Sequence, residues 1–191
     1  DAKNKNKGTL IIDATCVPAD VAYPTDLELC DKARQWLERI FDRLWLTYGK
    51  IAGKYPKKPR TYRKTARYRF LEINKRRRKP VKKIRQEIRY QLNCIQRDLG
   101  YIDDYLMLFG ATCLSRTEVD RLVTIMKFYE QQRYMNDTKK TSVKDRIVSL
   151  SQPWIRPIVR GKAKSPTEFG VKISISVVNG FSFLDRFSFD A

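Results

Sequence analysis

Near the start of the chain one acid, Asp13, sits in an otherwise apolar run, Leu10-Ile11-Ile12-Asp13-Ala14-Thr15-Cys16-Val17. An unbroken run of this kind bounded by polar residues is the pattern of a central strand covered on both faces. A carboxylate there is costly unless a partner cation, hydrogen bonds or a bound metal compensates it. A metal ligand is the role predicted for Asp13, with pairing to an arginine or capping of a turn as the plain alternative. The chain contains no His, which removes the Ser-His-Asp and Cys-His mechanisms and the usual neutral general base. Catalysis would have to rest on carboxylates, metals or lysines. Cys16, Cys30, Cys94 and Cys113 show no paired spacing, and without His a zinc site would need all four thiolates. They read as reduced, mostly buried thiols of a cytoplasmic protein.

The second chemistry-bearing feature is charge. Against 21 Asp+Glu stand 40 Lys+Arg, a formal +19; that excess of one sign points to a polyanionic partner. It is concentrated: residues 50–90 hold 18 Lys+Arg and two acids, Glu72 and Glu87. A solvated face would mix signs, so phosphate contact is predicted for Arg60, Arg63, Lys64, Arg67, Arg76, Arg77, Arg78, Lys82 and Lys83. Such contacts position a protein on nucleic acid without reading sequence. Arg156, Arg160, Lys162 and Lys164, in an extended segment with Pro153 and Pro157, are further candidates for DNA phosphates. No stretch approaches the roughly 20 apolar residues of a spanning helix, so no membrane partner is expected. The polar start lacks the apolar segment of a secretory signal, and the absence of an initiator Met reads as a processed product or fragment.

Helices must carry the basic residues. Leu29, Ala33, Trp36, Leu37, Ile40, Phe41, Leu44 and Tyr48 recur at spacings of three and four, predicting a helix over 26–48 capped by Thr25 or Asp26. Pro80 separates helices expected at 61–78 and from 81, the latter running past Gly100 to about 108. Ser115-Arg116-Thr117-Glu118 is a capping-box pattern opening a helix to about Met135. Val143 to Leu150 reads as a short helix or strand. In the last third Phe169, Val171, Ile173, Ile175 and Val177 alternate with polar residues, and Phe181, Phe183, Phe187 and Phe189 follow Asn179-Gly180. This predicts a hairpin. A two-residue loop would mix its faces, so a three-residue loop, Val178-Asn179-Gly180 with Gly180 left-handed, is expected, opposing Val177 to Phe181, Ile175 to Phe183 and Val171 to Phe187. That register leaves Asp185 opposite Ile173 without a reason.

Taken together, Leu10 to Asp20 followed by Tyr23-Pro24-Thr25-Asp26, then Asp145-Arg146-Ile147-Val148-Ser149, Arg156 to Lys162 and Glu168-Phe169-Gly170, resemble a bacterial insertion-sequence transposase of the DDE type. The resemblance implies an α/β fold: a partial RNase H-like core, first strand plus antiparallel hairpin, with a large basic helical insertion. Its parts would be residues 1–25 (strand and turn), 26–150 (insertion) and 151–191 (basic segment and hairpin). It implies DNA as partner, with homo-oligomerisation open for the full-length protein, and Asp13 as the first acid of the triad, a ligand to two Mg²⁺ ions that activate and stabilise the oxygens of an in-line displacement at phosphorus. The second Asp and the Glu of that triad would follow residue 191, so this chain alone is expected to be an inactive fragment. The rival expectation is a non-catalytic nucleic-acid binder using residues 50–90.

Overall fold

A computed structural model of the chain describes residues 10–21, 24–159, 167–178 and 180–189. In chain order these form β1 (Leu10–Pro18), α1 (Asp26–Ala52), α2 (Arg63–Asn74), α3 (Val81–Phe109), α4 (Arg116–Thr138), β2 (Arg156–Val159), β3 (Thr167–Val178) and β4 (Phe181–Ser188). The fold is mixed α/β, and it divides into two compact units, Tyr23–Pro153 and Asp1–Ala22 with Trp154–Ala191.

The helical unit follows its local signals. Thr25 Oγ1 accepts from the Glu28 N–H at 3.3 Å, and Asp26 and Glu28 place negative charge in the first turn of α1, where the helix dipole favours it. Ser115 and Glu118 close the reciprocal capping box of α4. The apolar stripe of α1 buries Ala33, Leu37, Phe41 and Leu44 against Leu92, Ile95, Ile102 and Tyr105 of α3 and Ile125 and Phe128 of α4. Phe41 stacks on Tyr101 with ring centroids 5.1 Å apart. α3 passes through Gly100 unbroken, because flanking Ile95, Ile102 and Tyr105 are buried and their packing outweighs a glycine's cost of about 1 kcal/mol. α2 stops at Asn74 rather than 78: Lys75 to Lys79 offer no apolar side chain to the core and only like charges to one another. The segment 143–150 is neither helix nor strand, a correction with a visible cause. Side chains claim its backbone, the Gln131 carbonyl accepting from Ile147 N–H at 2.9 Å and the Gln131 amide donating to the Asp145 carbonyl at 3.1 Å. Ile147, Val148 and Leu150 are nevertheless buried.

In the other unit β3 is the centre of a wholly antiparallel sheet. β1 lies along one edge of it, Leu10 opposite Val178 through Pro18 opposite Gly170. β2 and β4 share the other edge, β2 on residues 167–170 and β4 on 172–178. Gly170 is required by this arrangement: a Cβ there would stand 2.1 Å from the Val17 carbonyl oxygen. Two expectations are overturned. Among the described residues β1 pairs with β3 alone, and it is not covered on both faces: Ile11 and Ile12 are 58% and 64% exposed. An apolar run shows affinity for a cover but not whether one is present. The hairpin loop is also the two-residue one, since Val178 pairs with Phe181; Gly180 has φ 83°, and Asn179 lies outside the described residues. The mixing of faces that argued against this loop persists beside it, where Phe183 opposes Ser176, and is undone only beyond a bulge at Asp185, where the register shifts between Ser174 and Ile175. Leu184 then opposes Ile175 and Phe187 opposes Ile173. Asp185 does not oppose Ile173; its Oδ1 accepts from Ser176 Oγ at 2.8 Å.

Candidate nucleic-acid interface

Asp13 sits midway along β1 opposite Ile175 and is solvent-exposed. This corrects the expectation of a buried acid: an exposed carboxylate suffers no desolvation and demands no partner. Its neighbours on the same face are Ile11, Thr15 and, across β3, Leu184, while Asp185 bonds Ser176 and belongs to the opposite face. Among the described residues no three His, Cys, Asp or Glu side chains gather where they could hold a metal ion. One carboxylate beside isoleucines does not make the oxygen cage a hard cation needs. Asp13 would supply one oxygen ligand to the Mg²⁺ site that the resemblance implies.

In the basic region the structure sorts the cations into two kinds. Arg63 donates twice to Asp42, both at 2.7 Å, and once to Thr61 Oγ1. Burial works to raise the Asp42 pKa, but the Arg63 and Lys58 bonds outweigh it and hold the carboxyl below its usual range. Arg67 reaches buried Asp31 at 3.3 Å and lies over the Phe70 ring. Arg69 grips Glu87 with two bonds of 2.7 and 2.8 Å and covers Tyr90, its guanidinium carbon 4.0 Å from the ring centroid. Arg76 pairs with Glu72 one turn back. Arg63, Arg67 and Arg69 brace α2 against α1 and α3, and Arg76 pairs within the end of α2 itself, so Arg63, Arg67 and Arg76 have structural partners as well as being predicted phosphate contacts.

Beneath them lies a buried ionic knot. Arg34 donates to Gln91 Oε1 at 2.8 Å, to Asp31 at 2.5 Å and to Glu38, and the Gln91 amide donates to the Ala66 carbonyl at 3.0 Å. Asp98 is wholly buried beside Arg97, with one oxygen unpartnered. Burial, against the pull of Arg97, pushes its pKa up to about 7. Spacing places Asp98 three residues after Ile95 and four before Ile102, on the apolar rhythm of α3, but that the carboxylate is buried there shows only in three dimensions.

The side chains of Arg60, Lys64, Arg77, Arg78, Lys82 and Lys83 are exposed, and among the described residues they make no hydrogen bond or ion pair. Lys75, between them, is in the same condition. Arg156 stands on β2 opposite Gly170; Arg160, Lys162 and Lys164 lie outside the described residues. A surface of unneutralised Lys and Arg can displace counterions from a polyphosphate backbone, and that displacement is the main driving force of sequence-independent nucleic-acid binding. No protein-family model, curated protein or solved structure matches the chain.

Proposed function

We propose that the chain is a DNA-handling part of a DDE-type transposase, with Asp13 supplying a catalytic carboxylate and the helical unit holding DNA by its phosphates. The observation that supports this best is topological. β1, carrying Asp13 at its middle, runs antiparallel to β3, which is joined through a tight turn to β4; an RNase H-like core calls for that order of its first three strands. The unpartnered cations beside α2 and α3 supply the phosphate contacts. Among the described residues no helix is long and apolar enough to cross a membrane.

The second reading is a non-catalytic nucleic-acid binder. It is favoured by one observation, the exposure of Asp13 without companion ligands among the described residues, whereas the basic surface of the helical unit serves either reading. Nicking of supercoiled DNA in Mg²⁺ by the protein expressed from its complete gene separates them, with duplex binding measured alongside. The transposase reading expects Asp13→Ala to abolish cleavage while binding persists. Unchanged cleavage by Asp13→Ala rejects it, and binding with no cleavage by either protein decides for the second reading.

A further inference from the structure

We propose that the α2–α3 turn and the C-terminal end of α4 form one composite surface for the phosphate backbone of duplex DNA, with Lys139 and Lys140 as contacts that the basic run of residues 50–90 does not include. The inference rests on the nucleic-acid reading above and assigns where on the helical unit the duplex lies.

The two elements are joined by hydrogen bonds. Arg85 Nη2 donates to the Lys139 carbonyl at 3.2 Å, and the Asn136 amide donates to the Arg85 carbonyl at 3.1 Å. Between them is a cleft of about 170 Å³ lined in part by Val81, Arg85, Asn136, Lys140 and Thr141. The end of α4 is thereby held beside the first turns of α3, which carry Lys82 and Lys83. The turn before them adds Lys75, Arg77 and Arg78, exposed and, among the described residues, without partners.

Four acids near this surface are already engaged. Asp26 accepts from Gln132 at 2.8 Å and from Arg146 at 2.6 Å, Glu72 holds Arg76, Glu87 holds Arg69, and Asp137 stands 3.6 Å from Arg89. None of these neutralises Lys82, Lys83, Lys139 or Lys140. Lys140 bonds the Tyr134 hydroxyl at 2.6 Å and lies over that ring, so its charge is oriented but not cancelled. Lys139 ends α4 with φ 60°, a left-handed conformation in which glycine is the usual residue. Apart from a small favourable interaction with the negative end of the helix dipole, the fold gains little from a lysine side chain there, while a polyanion gains a contact. A duplex rather than a single strand fits this surface: single strands are held by open aromatic platforms, and the ring at this edge, Tyr134, already carries Lys140 over one face.

The left-handed position provides a clean test. Lys139→Gly removes the charge and relieves the backbone, so its melting temperature should match or exceed that of wild type. Affinity for a short fluorescent duplex is measured by anisotropy across a salt series for wild type, Lys139→Gly, the double variant Lys82→Ala/Lys83→Ala, and Lys127→Ala as a control on the exposed middle of α4. The first two variants are expected to bind several-fold more weakly, with the salt slope reduced by about 0.9 for each phosphate no longer held; the control is expected to behave as wild type. If wild type binds the duplex with a steep salt dependence while Lys139→Gly and the double variant keep both affinity and slope, the composite surface is wrong and the nucleic-acid reading stands. Tighter binding of a single strand of equal length also overturns it. If wild type shows no salt-sensitive binding, the underlying reading fails as well.

Discussion

The helical unit and the sheet unit contain similar apolar patterns with opposite outcomes. In the helices the stripe positions Ala33, Leu37, Phe41, Leu92, Ile102 and Phe128 are fully buried. In the sheet apolar residues stay exposed on each face: Ile11, Val17, Leu184 and Phe187 on one, Ile12, Phe181 and Phe183 on the other. A helix bundle supplies its own second layer, since each amphipathic stripe faces another. A single sheet does not, because its strands satisfy one another's backbone while their side chains point away from one another's layer. The charged residues follow the same division. Buried acids of the helices, such as Asp31 and Glu38, are bound by arginines, whereas exposed Asp13 in the sheet needs no compensation.

The contrast is broken most directly by truncating one aromatic ring in each unit. Phe41→Ala removes a fully buried ring and should cost about 3–5 kcal/mol in denaturant unfolding, whereas Phe187→Ala, on an exposed ring, should stay within about 0.5 kcal/mol. Near-equal losses would show that the sheet is covered in solution. A second effect belongs to the helices alone. Buried Asp98, with its pKa near 7 against an ordinary 3.8, keeps its proton in the folded state over a range where the unfolded chain has lost it. Stability should therefore fall as pH rises from about 4 to about 7, by a few kcal/mol, roughly 1.4 per unit at the steepest, and flatten above. Asp98→Asn should remove that slope in melts collected across the range; persistence of the slope would reassign it to another group. The smallest effects come from two glycines and should have opposite signs. Gly170→Ala drives a Cβ into the Val17 carbonyl and should cost about 1–3 kcal/mol, with faster amide exchange at the end of β1. Gly100→Ala meets nothing within 4 Å inside α3 and should stabilise by about 0.4–1 kcal/mol.

The same division explains what could be read in advance. Thr25, Pro80 and the Ser115/Glu118 pair marked helix ends correctly because a cap is settled within four residues. The end of α2 was placed too late because a basic run resembles a helix until its lack of apolar partners is weighed. The hairpin was legible from its alternation, but its register was not: the bulge at Asp185 is stabilised by Ser176 on the neighbouring strand, a partner nine positions away. Among the site residues, charge excess identified the basic region, yet nothing in composition separates Arg63 and Arg67, tied to Asp42 and Asp31, from Lys82 and Lys83, tied to nothing among the described residues. Lys139 and Lys140 were overlooked because they join that region through Arg85, 54 residues from Lys139 in the chain.

By itself, then, the sequence determined the helices, their caps, the alternating strands and the excess of positive charge, all consequences of spacing and composition that act between near neighbours. Only the tertiary structure decided which cations were neutralised, which acid was buried, Asp98 rather than Asp13, and which loop joined the hairpin. Those depend on where distant side chains meet, and both desolvation and ion pairing are set by that meeting.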